Sequence, residues 1–91
     1  MKKSVRVYIT GTVQGIFFRS FIKTNAEKYN VKGFTRNLED GRVEAFLEGN
    51  SADVNKMLEL CKQGPKHSQI KNIQMIPEKF QGFKNFKILH I

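Results

Sequence analysis

Apolar and polar residues alternate in the first predicted element. Val5, Val7 and Ile9 fall on one face of residues 5–10, which is the period-two pattern of a half-buried strand. After a short glycine-containing stretch the apolar period changes to helical spacing, at Phe18, Phe21, Ile22, Ala26 and Tyr29. The sequence therefore predicts a strand followed by an amphipathic helix that ends around Asn30.

The centre of the chain predicts a β-hairpin. A strand over about 32–38 is followed by Glu39-Asp40-Gly41, a turn of the Asp-Gly kind, and then by a second alternating run over 42–48. Three apolar residues of the second strand face one way: Val43, Ala45 and Leu47. The hairpin should bury this face.

The second half of the chain repeats the order of elements. Gly49-Asn50-Ser51 ends the hairpin and offers a helix N-cap, and a buried stripe at helical spacing follows: Val54, Met57, Leu58 and Cys61. Gly64-Pro65 ends this helix after about Lys62, and strands near 70–76 and 85–91 complete the chain. The order strand-helix-strand-strand-helix-strand predicts an α+β fold with two helices on one face of an antiparallel sheet.

Composition limits the function classes. The 91 residues fit one domain, over 1–91, and they include no apolar run long enough for a membrane span. The net charge of +8 is spread over every segment, which favours an ordinary solvated surface over a nucleic-acid patch; such a diffuse field would also speed the capture of a small anion, and solubility is the alternative purpose. Cys61 is the only cysteine, so no internal disulfide can form, and we expect a cytoplasmic location and no membrane partner.

The stretch that joins the first strand to the first helix is a candidate anion site. Gly15 stands where the chain must bend, and the amides of residues 15–18 would be the unpaired donors of a helix start. Arg19 follows at once, with a guanidinium that can donate two parallel hydrogen bonds to phosphate or carboxylate oxygens. The alternative is an ordinary strand-to-helix turn with a solvated arginine.

Other chemistries lack their residues. A phosphate loop with a thiolate nucleophile would place cysteine six residues before its arginine, where this chain has Val13, so water is the natural attacking group. Asn37 ends the second strand and could hold water, because a carboxamide both donates and accepts hydrogen bonds. Its alternative role is to begin the turn that follows. His67 and His90 have no partners at metal-ligand spacing, and we expect both to be bystanders.

Two motifs resemble a known family. Gly11-x-Val13-Gln14-Gly15-x-x-Phe18-Arg19 resembles the first signature of the acylphosphatase family. Gly33-Phe34-Thr35-Arg36-Asn37-x-x-x-Gly41-x-Val43 resembles the second. The resemblance extends from about residue 5 to 91. Phe34 stands where the family often has tryptophan, and Thr35 where it often has a small apolar residue.

The resemblance implies a fold and an activity. The fold would be ferredoxin-like, a βαββαβ sandwich with four or five antiparallel strands and two helices on one face. The activity would be hydrolysis of an acyl phosphate to a carboxylate and inorganic phosphate, without a metal, a cofactor or a phosphoenzyme. Arg19 would bind the phosphoryl group and Asn37 would orient the attacking water. The phosphate-binding loop would comprise Gln14, Gly15, Ile16, Phe17 and Phe18. We expect a monomer.

Two alternatives remain open. A basic ferredoxin-like domain can also bind RNA by stacking bases on aromatic residues of its sheet, here Tyr8, Phe34 and Phe46. Against this, Lys32-Gly33-Phe34 continues with Thr35-Arg36-Asn37, where the RNA motif requires Gly/Ala-Phe-Val. The second alternative is an acylphosphatase-like module that acts inside a larger assembly, which the short chain disfavours.

The implied mechanism predicts insensitivity to chelation. Excess EDTA should leave the hydrolysis of benzoyl phosphate unchanged, because no step uses a metal ion. Inhibition by the chelator would contradict a metal-free mechanism.

Overall fold

The computed structural model describes residues 1–12 and 16–90, with only the main chain at Ile16. The elements, in chain order, are β1 (Lys2–Thr12), α1 (Ile16–Lys28), β2 (Lys32–Asn37), β3 (Val43–Asn50), α2 (Ser51–Gln63), β4 (Gln69–Pro77) and β5 (Phe86–Leu89). The predicted ferredoxin-like βαββαβ order is confirmed, and β5 is the fifth strand that was predicted near 85–91. Neither helix is long and apolar enough to cross a bilayer.

The sheet has the strand order β4-β1-β3-β2-β5. β3 is antiparallel to both of its neighbours, β1 and β2, and β4 is antiparallel to β1. The pairing of β5 with β2 is parallel, which makes the sheet mixed where an antiparallel sheet was predicted. The reason lies in the connection: residues 78–85 cross from one edge of the sheet to the other, so β5 returns in the direction of β2.

The helices cover one face of the sheet and form the core with it. α1 packs on β2 and β5, while α2 packs on β1, β3 and β4. The inward residues of β3, which are Val43, Ala45 and Leu47, are fully buried as predicted. Cys61 on α2 is also fully buried, and burial raises the pKa of its thiol to about 12.

β3 is buried on its other face as well. Phe46 and Glu48 are each only 1% exposed, although they point away from the helices. Residues 78–85 lie over this face, and the Phe83 ring packs against Phe34 and Phe46 with centroid separations of 5.9 and 5.3 Å. The crossing segment therefore forms a third layer over the middle of the sheet.

The Glu48 carboxylate holds this crossing segment in place. It accepts hydrogen bonds from the main-chain amides of Gln81 at 2.6 Å, Gly82 at 2.9 Å and Phe83 at 2.9 Å, and from the Ser4 hydroxyl at 2.9 Å. Burial alone would raise the pKa of Glu48, but these donors favour the charged form more strongly. The pKa of Glu48 is therefore held below its usual value.

Replacing Glu48 by Gln should lower the free energy of unfolding by about 1–3 kcal/mol at pH 7, because three main-chain amides of the crossing segment lose their charged acceptor. A carboxyl whose folded pKa is depressed contributes stability above its unfolded pKa and loses it as the pH falls through the folded value. The variant should therefore lose less stability than the parent below about pH 4.5, the ordinary glutamate pKa.

Urea unfolding between pH 7 and pH 2.5 measures both effects. Glu59→Gln is the matched control, since the Glu59 carboxylate is 66% exposed and contacts only Lys62 among the ion pairs of the described residues. Equal pH profiles for parent and Glu48→Gln would contradict the assigned role.

Candidate active site

The carboxyl ends of three strands meet at one edge of the sheet. Because β3 is antiparallel to β1 and β2, these two strands run the same way, and β5 runs parallel to β2. Their last residues are Thr12, Asn37 and Leu89. α1 follows β1 and packs back over β2 and β5, so its first turn, which includes Arg19, begins at this edge.

Asn37 faces the helices from the last position of β2. It pairs with Val43, which in turn pairs with Ile9 of β1, and strand alternation places its side chain on the same face as the fully buried Thr35. Its carboxamide Oδ1 is buried and accepts no hydrogen bond within the described part of the chain. A buried acceptor without a donor is costly, so a donor from outside the described residues, such as water or a ligand, would stabilise this atom.

The neighbouring turn does not explain the Asn37 side chain. The turn is closed by the amide of Leu38, which donates to the Arg42 carbonyl at 2.8 Å, and by the amide of Gly41, which donates to the Leu38 carbonyl at 3.2 Å. The Asp40 carboxylate accepts from the Arg42 amide at 3.1 Å. These contacts complete the turn without the carboxamide oxygen of Asn37, so the turn-initiating alternative does not account for it.

Arg19 contacts the end of β5. Its Nη1 lies 3.2 Å from Nδ1 of His90, the residue after the last position of β5. Leu89 is in register with Arg36, so His90 follows at the level of Asn37. The structure thus brings Arg19, Asn37 and His90 to one corner of the helix-covered face, and His90, which was expected to be a bystander, contacts Arg19 there.

Little in the sequence indicated that His90 would lie beside Arg19 and Asn37. No motif spacing includes it, and only the parallel register of β5 on β2 places it beside the other two residues. His67 lies instead in the turn between α2 and β4, with a φ of 72°. Within residues 1–12 and 16–90, no three histidine, cysteine, aspartate or glutamate side chains could hold a metal ion together.

The predicted phosphate-binding loop is described in part. Gln14 and Gly15 lie outside the described residues. Ile16 begins α1, Phe17 is 84% exposed, and Phe18 is buried in the core, where it anchors the start of the helix. The first amides of a helix have no intrahelical acceptors, and the positive end of the helix dipole lies there. No acidic residue stands in the first turn of α1.

The structure explains why two positions of the motifs are glycine. At Gly11 the pairing of β1 with β4 shifts register, φ is 143°, and an added Cβ would lie 2.0 Å from the Gln69 carbonyl oxygen. At Gly33 φ is 137°, and a Cβ would lie 1.8 Å from the carbonyl oxygen of Phe46. The predicted strand ended at residue 10, but β1 continues through this bulge to Thr12.

The stacking platform that the RNA alternative requires is partly covered: Phe46 is buried, while Tyr8 and Phe34 are half-buried. Phe46 packs under Phe83, and the Arg6 guanidinium lies 5.2 Å from the centre of its ring. The Arg42 guanidinium lies 4.7 Å from the centre of the Tyr8 ring. A cavity of about 470 Å³ opens on this face beside β5, but neither Arg19 nor Asn37 lines it.

Comparisons with known proteins agree with the sequence motifs. The acylphosphatase family model matches residues 5–88. An acylphosphatase of Syntrophus aciditrophicus is 43% identical over 91 residues, which cover 99% of this chain and 95% of that protein. The crystal structure of acylphosphatase from Bacillus subtilis superposes with a TM-score of 0.91 at 31% identity, covering 98% of this chain and 99% of that one.

The same fold also occurs within a larger protein. HypF of T. kodakarensis matches with a TM-score of 0.84 at 30% identity, covering 100% of this chain but 12% of HypF.

Proposed function

The chain belongs to the acylphosphatase family, and we propose that it hydrolyses the carboxyl–phosphate bond of small acyl phosphates by direct attack of water on phosphorus. Arg19 and the main-chain amides around residues 14–18 bind the phosphoryl group, and Asn37 orients the water. The products are a carboxylate and inorganic phosphate. The family model and the named relatives support the reaction class, and the corner shared by Arg19 and Asn37 supports the roles.

The buried Oδ1 of Asn37 is the observation that carries this proposal. It accepts no hydrogen bond from the described residues, yet it lies at the end of a strand that is fixed on both sides by β3 and β5. A water molecule can donate a hydrogen bond to this oxygen and accept one from the carboxamide NH₂. These two bonds together fix the position of the water and the direction of one of its lone pairs. Attack on phosphorus needs such positioning more than it needs a strong base, because the transition state is loose.

Arg19 supplies the charge that the phosphoryl group requires. Its guanidinium is always protonated and its planar fork fits two phosphate oxygens. The first amides of α1 have no intrahelical acceptors, so in this proposal side-chain and main-chain donors share three equatorial oxygens. The carboxylate that leaves is stable as an anion, so departure of the leaving group requires no acid from the protein. We propose a mechanism without a metal, a cofactor or a phosphoenzyme.

We also propose that the protein acts as a cytoplasmic monomer on a small-molecule substrate, without nucleic acid or membrane as a partner. Its net charge of +8 speeds the capture of an anionic substrate at low ionic strength.

Replacing Arg19 by Lys should lower kcat/KM for benzoyl phosphate by about 100-fold or more, because a point charge replaces a two-pronged donor in the transition state. The affinity for inorganic phosphate, measured as product inhibition, should fall too. Arg42→Lys is the matched control, since Arg42 pairs with Asp40 at the exposed turn. Normal turnover in Arg19→Lys would show that the phosphate site is elsewhere.

Replacing Asn37 by Ala should lower kcat by about 100-fold or more while inorganic phosphate still binds, because the phosphate contacts remain and the water loses its orientation. Asn72→Ala, at an exposed position of β4, is the control. Steady-state kinetics and phosphate titration measure the two quantities separately. Loss of both together, with a lower melting temperature, would instead mean that Asn37 is structural.

A further inference from the structure

The contact between Arg19 and His90 defines the state of the imidazole. Arg19 Nη1 carries only donor hydrogens, so the His90 Nδ1 that lies 3.2 Å away must be the acceptor. The ring is then neutral and carries its proton on Nε2. This hydrogen bond joins α1 to the residue after β5, through two side chains that are 71 positions apart in the sequence.

The contact controls where the guanidinium can point. Arginine has a long side chain with many rotamers, and a substrate that must order it loses affinity. A guanidinium has five N–H groups, and the His90 contact uses one nitrogen, Nη1. His90 lies at the level of Asn37 on the neighbouring strand, so the bond ties the guanidinium to the strand end at which Asn37 lies.

We propose that His90 is a positioning residue for Arg19. Its neutral Nδ1 accepts from Nη1 and orients the guanidinium before the phosphoryl group arrives, so that less side-chain freedom is lost on binding. His90 itself does not contact the phosphoryl group in this assignment. The inference rests on the proposed function, in which Arg19 binds the phosphoryl group.

Three substitutions of His90 test this assignment. In Asn the Oδ1 can replace the Nδ1 acceptor at nearly the same distance from the main chain, whereas in Gln the oxygen corresponds to the Nε2 position. His90→Asn should keep kcat/KM for benzoyl phosphate within about 2-fold of the parent. His90→Ala and His90→Gln should raise KM and the inhibition constant of inorganic phosphate by about 5- to 10-fold, which is the size of one ordinary hydrogen bond.

The controls separate positioning from a general effect on the strand. Lys87→Ala changes an exposed residue of β5 on its other face, and it should alter the phosphate inhibition constant by less than about 2-fold at 0.15 M salt. Melting temperatures of all variants should agree with the parent, because His90 is exposed. Rescue by Asn without rescue by Gln is a pattern that a merely structural role would not produce.

The outcomes distinguish this inference from the proposed function. Parent-like phosphate affinity in both His90→Ala and His90→Gln would overturn the positioning role while leaving the hydrolysis intact. Equal losses in the Asn, Gln and Ala variants would also overturn it, since the Nδ1 acceptor would then be irrelevant. A parent protein that neither hydrolyses benzoyl phosphate nor binds phosphate would overturn the proposed function first, and the inference with it.

Discussion

The two hydrogen-bond ladders of β3 place the residues of the candidate site. They make β1 and β2 run the same way, and β5 then follows β2 in parallel, so three strand ends and the start of α1 meet at one corner. A slip of one residue between β2 and β3 would turn Asn37 away from the helices. The fully buried Val43 and Leu47 resist a slip of β3, because it would move their side chains out of the core. The proposed chemistry therefore depends on the packing of the middle strand.

Much of the fold could be predicted because its signals are local. Strand alternation, the two helical stripes and the Asp-Gly turn each lie within a dozen residues, and the observed elements differ from the predicted ones mainly at their ends. Arg19 and Asn37 stood out through short motifs, and the structure places both at the same edge of the sheet. The Gly11 and Gly33 positions also follow from physics, since the approach of a neighbouring carbonyl leaves no room for a side chain.

The features that the sequence did not predict depend on contacts between distant segments. Nothing near His90 in the sequence indicates that β5 will lie parallel to β2 and bring it to Arg19. The same holds for Glu48, whose carboxylate meets amides more than thirty residues away. From alternation alone Phe46 belongs to an open face, whereas the crossing segment covers it. Patterns of period two or 3.6 report which face is buried against the nearest layer, but they do not show a third layer.

The buried thiol on α2 gives this protein an internal reporter of its own motion. Cys61 reacts only as a thiolate, and both its enclosure and its pKa of about 12 suppress that form while α2 rests on the sheet. Alkylation at neutral pH must therefore wait for excursions in which the helix separates from the strands beneath it. The labelling rate of one sulfur atom thus measures how often the core opens, in the unmodified chain and without any engineered probe.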